Sequence, residues 1–408
     1  MRCVVVGGGI VGICSALTLQ RDGHEVIVVD HSGPGEGASK GNAGIFATSH
    51  VVPIGTPGIL RRVPKMLLDP ASPLSIRWSY LPRITPWLVR LIAASTPTRV
   101  EAISRALAQL LQRAIAAYAP LLRMAGAEAQ VQHRGWLMLF QSHASFAAAE
   151  ADMELRRRRG VRLEVLDDGM VRQLVPGLRP GELKGVMLPD CRHTVDPYQL
   201  TRSLAESFIR QGGQVARTRV EGVEIGPDRR FLATEQGKLG FEALVVAAGA
   251  WSRSLVRNLG DDAPLDTERG YHVMLENTVD LRQPLVSADN KFSITPMTDG
   301  IRLGGTIEFG GLDAPPNPRR WELMVERARE LLPGLKPEKL ATWMGFRPSL
   351  PDSLPVIGPS PRQPQVFYAF GHGHLGLTLG AVTGQAIADL VNGREPAFDL
   401  APYSISRF

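Results

Sequence analysis

Cysteine is scarce in this chain of 408 residues, which contains only three. Cys3 and Cys14 fall within apolar segments, Cys191 falls in a predicted loop, and no C-x-x-C pair occurs. A disulfide framework and a thiolate metal site therefore lack support, and we expect a reducing compartment and no bound metal. The two cysteines in apolar segments are predicted to be buried and chemically inert.

Long uncharged apolar runs are missing as well. No stretch reaches the roughly 18 apolar residues that a transmembrane helix requires, and glycines interrupt the first apolar run in a way that signal peptides do not show. The sequence also has no low-complexity tract and no solenoid-type repeat. Its 44% of hydrophobic residues suffices for a sizeable core, and its length favours two or three structural units. We expect a folded cytoplasmic protein.

Acidic side chains are nearly missing from residues 51–124, where ten Arg and Lys residues meet only Asp69 and Glu101. A basic stretch of this kind can bind nucleic acid. Here, however, the arginines alternate with Trp78, Trp87 and several leucines, a mixture that better suits a membrane surface. We therefore expect no nucleic-acid partner and a peripheral contact with the inner face of the cytoplasmic membrane. An ordinary helical insertion with a solvated basic face is the alternative.

Glycine, by contrast, is abundant at the start of the chain. Residues 3–6 are apolar and predict a short buried parallel strand, and Gly7, Gly9 and Gly12 follow with the spacing G-x-G-x-x-G. In such a loop the first glycine allows a tight turn, the second lets a pyrophosphate approach the backbone, and the third lets the next helix pack closely. Residues 10–22 predict that helix, whose N-terminal N–H groups face the phosphates.

A second strand is predicted over residues 25–29 and leads into Asp30. Asp30 lies eighteen residues after Gly12, close to the roughly 20 expected of the acid that binds a ribose hydroxyl. The order of strand, glycines, helix, strand and acid indicates a dinucleotide-binding unit, and a glycine turn without a nucleotide is the alternative. No Arg or Lys directly follows Asp30, so a 2′-phosphate has no evident partner.

Several later segments of the chain are also predicted to belong to this dinucleotide-binding unit. Predicted strands occupy residues 134–140, 214–225, 241–252, 271–276, 292–296 and 301–308, and predicted helices occupy residues 99–124, 145–159, 197–211 and 319–335. The strands at 214–225 and 241–252 are expected to rejoin the nucleotide unit, and the last three to form a second, antiparallel sheet. The chain ends in a strand, a glycine–histidine loop and a helix, as it began. An embedded FAD explains this discontinuous layout better than NAD does.

A further basic run, residues 156–159, closes one of these predicted helices. Positive charge at a helix C-terminus complements the helix dipole. We interpret this run as a solvated helix end.

Four segments together carry a family resemblance: "VVVGGGIVGICSALTL", "VVAAGAWS", "WMGFRPSLPDSLPVIG" and "AFGHGHLGLTLG". The chain resembles, over essentially its full length, the FAD-dependent amine oxidoreductases of the D-amino-acid oxidase superfamily. Within it, "SKGNAGIF" supports the bacterial D-amino-acid dehydrogenases, including those acting on D-proline and hydroxyproline. The resemblance implies an α/β fold with a discontinuous, doubly wound FAD-binding domain (1–50, 190–260 and 340–408). A substrate domain (51–189 and 261–339) would carry an antiparallel sheet and the basic helical insertion at about 51–124.

The resemblance also implies non-covalent FAD and the residues that bind it. Asp30 and His31 would lie at the adenosine ribose, and Val220 would give backbone contacts to adenine. The pyrophosphate, the rest of the dinucleotide and the flavin ring would be bordered by Gly7, Gly9, Ile10, Val11, Gly12, Ser39, Asn42, Ala43, Gly44, Ile45, Ala248, Gly249, Trp251, Gly373, His374, Leu375, Gly376, Leu377 and Thr378. The helix that follows Gly373 would point its N-terminus at the flavin pyrimidine oxygen, where a reduced flavin is anionic.

Arg347, in "GFRP", matches the substrate arginine of the family. A planar guanidinium that is always charged suits the carboxylate of an amino acid, and Pro348 restricts the backbone before it to an extended conformation. A surface ion pair is the alternative, since arginine is mostly exposed. The resemblance leaves further candidates: Tyr271 and His374 as catalytic groups, and Tyr271, His272 and His50 as substrate contacts. For the histidines a satisfied structural role is the alternative.

The implied activity is FAD-dependent oxidative deamination of a D-amino acid, in which a hydride passes to the flavin and the electrons go to a quinone or another acceptor in or at the membrane. One alternative is an amine oxidase of the glycine or sarcosine type that uses oxygen. A second alternative is an FAD-binding subunit of a multi-subunit electron-transfer complex. A module that only binds ligands lacks support, because several segments converge on one cofactor.

Overall fold

The computed structural model describes residues 1–57, 72–226 and 229–408, so residues 58–71 of the basic segment lie outside the described residues. The strands are β1 Arg2–Val6, β2 Glu25–Asp30, β3 Ile45–Phe46, β4 Leu74–Ile76, β5 Val131–Gln132, β6 Trp136–Phe140, β7 Glu164–Leu166, β8 Lys184–Leu188, β9 Arg192–Thr194, β10 Gln214–Arg217, β11 Val220–Ile225, β12 Arg230–Thr234, β13 Gly237–Gly240, β14 Ala243–Val246, β15 Asp266–Leu275, β16 Leu285–Ser287, β17 Phe292–Met297, β18 Gly300–Phe309, β19 Lys339–Ser349, β20 Val356–Pro359 and β21 Val366–Phe370. The α-helices are α1 Ile10–Arg21, α2 Leu81–Ala94, α3 Pro97–Ala125, α4 His143–Ala148, α5 Glu150–Arg158, α6 Asp168–Leu174, α7 Pro197–Arg210, α8 Ser252–Asn258, α9 Arg319–Leu331 and α10 Gly376–Val391.

A six-stranded sheet has the order β10–β2–β1–β14–β21–β20. Its neighbouring strands are parallel except for β20 and β21, which are antiparallel. The apolar residues of β1 and β2 are buried on both faces, as expected of a parallel sheet covered on both sides. The predicted doubly wound α/β fold is confirmed. In such a sheet, ligands bind beyond the carboxyl ends of the strands, which here are marked by the turn after β1 and by Asp30, the last residue of β2.

Helices α1 and α10 pack side by side on this sheet and run in the same direction. A Cβ atom at Gly380 would lie 3.4 Å from the carbonyl oxygen of Ile10, and one at Gly384 would lie 2.8 Å from the carbonyl carbon of Cys14. The missing side chains therefore let the two backbones touch. Because residues 380 and 384 match residues 10 and 14 in order, the N-termini of both helices lie at the same end.

Helix α3 packs with these two helices instead of with the second sheet. Leu107, Leu110 and Leu111 are buried in the same core as α1 and α10, and the hydroxyl of Tyr118 donates to the carbonyl of Leu377 at 2.6 Å. The apolar stripe of α3 thus covers the cofactor side of the molecule. The sequence analysis had assigned this helix, as part of residues 51–124, to a substrate domain.

The second large sheet has nine strands, in the order β19–β15–β18–β17–β16–β6–β8–β7, with β4 beside β18. Most pairs are antiparallel, but β16 with β6 and β18 with β4 are parallel, so the sheet is mixed and not purely antiparallel. Strand β19 pairs along the whole of β15. It belongs to this sheet although most of its residues fall in the segment 340–408 assigned to the FAD-binding domain.

Two predicted elements are each divided in the structure. The helix predicted over 145–159 consists of α4 and α5, which meet at Ala149; acidic residues in the first turn of α5 favour a new helix start there. The strand predicted over 214–225 splits into β10 of the parallel sheet and β11 of a three-stranded sheet. At the end of α5, Arg157 and Arg158 are exposed, but Arg156 is buried, so the predicted solvated helix end was wrong for Arg156.

In the described part of the basic segment, α2 is an amphipathic helix. On α2, Ile84, Trp87 and Leu91 are buried, and the Trp87 ring lies 5.2 Å from that of Phe309. The outer side exposes Val89, Ile92 and two arginines of α2, and Trp78 just before the helix is 72% exposed. Among the described residues, no helix combines the length and the apolar character needed to cross a membrane.

Candidate active site

The three spaced glycines between β1 and the first turn of α1 differ in the space around them. Gly7 and Gly12 are tightly packed, whereas Gly9 is open. Gly7 has a φ of 111°, and a Cβ atom at Gly12 would overlap the carbonyl oxygen of Gly7. At Gly9, by contrast, the nearest atom to a Cβ would be the Ser39 Oγ, at 3.5 Å. The protein itself therefore does not need glycine at residue 9. A phosphate bound at the N-terminus of α1 does require glycine at residue 9, because the phosphate must approach the backbone there.

Asp30 closes one end of this turn. Its Oδ2 accepts a hydrogen bond from the Gly8 N–H at 2.7 Å, and its Oδ1 accepts from the N–H groups of Ser32 and Gly33. The His31 ring is 6.2 Å from the ring of Trp251. Three predicted nucleotide contacts are thus brought together here. Two more, Val220 and Ala248, pack against one common core.

The loop of residues 39–45 links α1 to the nine-stranded sheet. The Ser39 Oγ accepts from the Ile10 N–H at 2.9 Å, next to Val11 in the first turn of α1, and the Asn42 side chain accepts from the Gly44 N–H at 2.9 Å. From the sheet, Arg302 donates to the carbonyl oxygen of Asn42 at 2.6 Å. Two further residues predicted to contact the cofactor, Ala43 and Ile45, belong to this loop. Ala43 lies against Gly304, and Ile45 begins β3.

Two further predicted segments also leave open space at glycines. Gly249 and Gly373 have φ values of 55° and 54°, and a Cβ atom at either residue would meet no atom within 4 Å. The turn Gly373–Leu375 leads directly into α10. In the first turn of α10, which includes Gly376 and Leu377, the hydroxyl of Thr378 accepts from the Ala47 N–H at 2.9 Å. This contact ties α10 to the loop that follows residue 45.

These features fit FAD. Open glycine positions at residues 9, 249 and 373 form a cradle whose floor lacks side chains. The N-termini of α1 and α10 lie at the same end of the sheet and favour negative charge, which a pyrophosphate and a reduced flavin carry. These three glycines follow β1, β14 and β21, which are neighbours in the parallel sheet.

One face of the nine-stranded sheet, beside the loop of residues 39–45, is poor in side chains. Gly270, Gly304 and Gly345 lie on neighbouring strands of that face. The Trp343 ring covers Gly345 and stacks on His272, with ring centres 5.2 Å apart. A flat surface of this kind suits a planar ring or a small substrate lying against it.

His272 is on this face, but its side chain already makes a polar contact within the protein. Its Nδ1 lies 3.2 Å from the carbonyl oxygen of Gly41, in the loop 39–45. Burial, together with the nearby Arg302, lowers the pKa of His272 to about 4, so the ring is neutral near pH 7. The structure thus places this predicted substrate contact as a support of the cofactor loop.

Arg347 projects from β19 onto the same face. A Cβ atom at Gly270 would come 2.5 Å from its guanidinium carbon, so only glycine leaves room for it. Its guanidinium donates to the carbonyl oxygens of Thr306 at 3.0 Å and Gly305 at 3.4 Å. Thr306, in a bulge of β18, has the unusual φ of 54°, which directs this carbonyl. The backbone of β18 therefore fixes the direction of the arginine.

The charge of Arg347 is not matched by a contact ion pair. Burial lowers its pKa, and the carboxyl of Glu268, directly across from it on β15, acts in the opposite direction. Within residues 1–57, 72–226 and 229–408, however, no carboxylate lies within 4.0 Å of the guanidinium. Instead, the Glu268 carboxylate accepts a hydrogen bond from the Ser349 hydroxyl at 2.6 Å. The guanidinium can therefore receive a carboxylate from a substrate.

His374 and His50 line one recess together with Ser349 and Leu350. The two imidazole rings are 4.9 Å apart. Burial, together with Arg347, lowers the pKa of His374 to about 4. Burial, then the neighbouring His374 and Arg156, lowers the pKa of His50 well below its usual range. Both rings are neutral near pH 7, so they line the recess without adding charge.

Tyr271, which was predicted as a catalytic and substrate-binding residue, lies apart from this group. Side chains alternate along a strand, so Tyr271 points to the opposite face from Gly270 and His272. There its hydroxyl donates to Glu308 and accepts from the Asn317 N–H at 3.0 Å, and its ring contacts Trp321 of α9. The residue is 1% exposed and holds a helix and a loop onto the back of the sheet.

Three residues of the site escaped the sequence analysis: Glu268, Thr306 and Trp343. The alternation along β15 was a usable signal, because it places Glu268 on the same face as His272. The neighbours of Arg347 across the sheet depend on strand pairing, and a lone sequence does not show pairing between segments that are about 80 residues apart.

Comparisons with known proteins agree with this architecture. The family model of the FAD dependent oxidoreductases matches residues 2–390. The chain is 37% identical to a D-amino-acid oxidase of Bradyrhizobium diazoefficiens, covering 99% of this chain and 98% of the relative. It is 32% identical to a D-amino acid dehydrogenase of Paramagnetospirillum magneticum, covering 100% and 99%.

Among solved structures, the glycine oxidase from Geobacillus kaustophilus superposes with a TM-score of 0.75 at 24% identity, covering 100% of this chain and 99% of that one. The L-proline dehydrogenase from P. horikoshii gives a TM-score of 0.74 at 19% identity, covering 100% and 97%. At these identities the likeness shows the fold alone. Taken with the matched family and the glycine cradle, it leads to one conclusion: the chain belongs to the FAD dependent oxidoreductase family and is an enzyme whose cofactor is FAD.

Proposed function

We propose that the protein catalyses the oxidative deamination of a D-amino acid with non-covalently bound FAD. The observation that carries the proposal is Arg347, a guanidinium fixed by two backbone carbonyls and without a carboxylate within 4.0 Å among the described residues. An amino-acid carboxylate is the anion that such a fork receives best. Two relatives whose names state D-amino acids, at 37% and 32% identity over nearly the whole chain, support the choice of enantiomer.

In this proposal the two large sheets have different roles. The parallel sheet and the N-termini of α1 and α10 hold the cofactor, and the glycine-rich face of the nine-stranded sheet receives the substrate. Bound FAD supplies the acceptor for the hydride that leaves the α-carbon. Arg347 binds the carboxylate and thereby fixes the position of the α-hydrogen. Because His374 and His50 are neutral, Arg347 dominates the local charge, and a positive site favours the neutral amine over the ammonium form.

Product analysis tests this activity directly. The purified holoenzyme is incubated with single D-amino acids and an artificial quinone, and the 2-keto acid and ammonia are quantified. Neutral and acidic D-amino acids, glycine, D-proline and sarcosine form the substrate panel, and reduction of the quinone reports turnover of the last two, whose oxidation releases no ammonia. Equal amounts of keto acid and ammonia from a D-amino acid would support the proposal. Turnover of glycine or sarcosine alone would contradict it.

The proposal extends to the electron acceptor, for which we infer a quinone or another acceptor at the membrane surface. The support is the outer side of α2 and the residues before it. Trp78, Val89 and Ile92 are exposed beside Arg83 and Arg90, and residues 72–100 contain no Asp or Glu. An apolar and basic surface of this kind binds anionic lipid headgroups. Peroxide formation in air, compared with quinone reduction, separates an oxidase from a dehydrogenase.

Membrane attachment can be measured by sedimentation with vesicles of phosphatidylglycerol and phosphatidylcholine at low salt. Each basic residue near an anionic surface contributes about 1 kcal/mol, so the double variant Arg83→Glu/Arg90→Glu should bind at least about 30-fold more weakly. The control variant Arg219→Glu/Arg282→Glu changes the same charge at two other exposed sites and should bind like the wild type. Equal binding of both variants, or no binding of the wild type, would contradict this part of the proposal.

A further inference from the structure

Three side chains on neighbouring strands of the nine-stranded sheet contact the loop of residues 39–45. We call them the loop clamp: Trp343 of β19, His272 of β15 and Arg302 of β18. His272 is opposite Trp343 in one strand pair and opposite Gly304 in the other, and Arg302 is two residues from Gly304 on β18. Because opposite residues, and residues two apart on a strand, share a face of a sheet, all three side chains project from the same face.

The Trp343 indole is enclosed by two glycines, one from the sheet and one from the loop. A Cβ atom at Gly345 would come 1.8 Å from its Cη2, and a Cβ atom at Gly41 would come 2.0 Å from its Cε3. The indole also stacks on the ring of His272, with an angle of 19° between the ring planes. Only glycine at both residues leaves room for the indole, which therefore joins the loop to strand β19 directly.

The two other members of the loop clamp bind carbonyl oxygens of the loop. The neutral ring of His272 carries its proton on Nδ1 to donate to the Gly41 carbonyl oxygen, 3.2 Å away. Arg302 donates to the carbonyl oxygens of Asn42 at 2.6 Å and Lys40 at 3.5 Å. Burial lowers the pKa of Arg302 to about 10, so the guanidinium is charged near pH 7 and forms strong hydrogen bonds. The sheet thus holds three consecutive carbonyl groups of the loop.

The loop clamp lies close to Arg347 on the same face. The Arg347 guanidinium occupies the space above Gly270, which is two residues from His272 on β15. At this spacing the two residues of β15 are about 7 Å apart along the strand. Trp343 and Arg347 also belong to one strand, β19, four residues apart. The strands that carry Arg347 and its glycine floor therefore also carry the contacts to the loop.

We propose that Trp343, His272 and Arg302 are positioning residues that set the distance between the flavin and the α-carbon of the substrate. The inference rests on the proposed function and on the predicted place of the loop at the flavin. Arg347 holds the substrate on β19, and the loop clamp holds the loop on β19 and the next two strands. Because hydride transfer requires closely placed reacting atoms, a loop that shifts on the sheet slows the transfer without weakening the carboxylate contact.

The test is rapid anaerobic reduction of the holoenzyme over a range of concentrations of the D-amino acid that the wild type oxidises fastest. It separates the limiting rate from the apparent Kd of the substrate. A displacement of about 1 Å can cost about a hundredfold in rate, so the limiting rate of Trp343→Leu should fall at least about tenfold, while its apparent Kd stays close to that of the wild type. His272→Leu should show the same split. His272→Asn, which can still donate to the Gly41 carbonyl, should be less impaired.

Trp321→Leu is the matched control. It removes an indole that packs against Tyr271 on the opposite face of the same sheet. This variant should have a lower unfolding temperature and the limiting rate of the wild type. Unchanged limiting rates in Trp343→Leu and His272→Leu, or an equal fall in Trp321→Leu, would overturn the inference.

Release of FAD from the diluted holoenzyme is a second readout, which does not depend on turnover. Free-flavin fluorescence should appear at least about tenfold faster from Arg302→Met, which loses charged hydrogen bonds to the loop, and at the wild-type rate from Trp321→Leu. Equal release from Arg302→Met and the wild type would contradict the inference. If no D-amino acid reduces the wild-type flavin, the proposed function fails, and FAD release alone decides whether the loop clamp acts on the cofactor.

Discussion

We expect Arg347→Ala to lower kcat/KM for the D-amino acid by about a hundredfold to a few thousandfold without loss of FAD. Removing one partner of a buried charge pair costs roughly 3–5 kcal/mol, which corresponds to that range of rates. The cofactor should remain, because the guanidinium contacts Gly305 and Thr306 of the substrate sheet and no residue of the glycine cradle. Anaerobic flavin reduction measures the loss, and the flavin absorbance of the purified variant measures its FAD content.

Arg347→Lys is the matched variant for this prediction. It keeps the positive charge but loses the planar fork, so its impairment should lie between those of the wild type and Arg347→Ala. Unfolding temperatures of both variants control for the hydrogen bonds lost to β18. If Arg347→Ala reduces its flavin as fast as the wild type at equal substrate concentrations, another residue anchors the carboxylate.

The second large effect is expected at Gly9. Gly9→Val should give a folded, soluble protein that contains little or no FAD. The nearest atom to a Cβ at this residue is the Ser39 Oγ at 3.5 Å, so the protein itself has room for the first side-chain carbon. The pyrophosphate does not, because it needs direct access to the backbone at the N-terminus of α1. Circular dichroism reports the fold, and the ratio of flavin to protein absorbance reports the cofactor.

Gly12→Ala serves as the contrasting variant. A Cβ there would overlap the carbonyl oxygen of Gly7, so this change disturbs the packing of α1 on β1 and should lower the unfolding temperature as well as the FAD content. We therefore expect Gly9→Val, unlike Gly12→Ala, to lose FAD without a lower unfolding temperature. A soluble Gly9→Val protein with full FAD content would rule out the assignment of the pyrophosphate to this turn.

Local patterns in the sequence predicted the first unit of the fold well. The order of apolar run, spaced glycines, helix and Asp30 corresponds to β1, α1 and β2 within one or two residues. All of this information lies within about thirty consecutive residues, and glycine has few substitutes where a backbone must turn or be approached closely. The glycine–histidine loop at Gly373 and the start of α10 were likewise predicted from one short continuous segment.

Contacts between distant segments could not be predicted in this way. Tyr271 and His272 were both predicted at the site as residues of the substrate sheet, although neighbours on a strand point to opposite faces. Arg156 was assigned to solvent because it is part of a basic run. On a helix, however, successive residues face different directions, and Arg156 points inward while Arg157 points outward. Which face becomes buried depends on the partner elements, which a single sequence does not reveal.

The most direct test of the account is rapid anaerobic mixing of the holoenzyme with the two enantiomers of one amino acid, followed by the absorbance of the bound flavin. Because Arg347 fixes the carboxylate on a rigid strand, only one enantiomer can direct its α-hydrogen toward the cofactor. We predict that the D-enantiomer bleaches the flavin at least about a hundredfold faster than the L-enantiomer. Faster bleaching by the L-enantiomer, or equal rates for both, would contradict the proposed function.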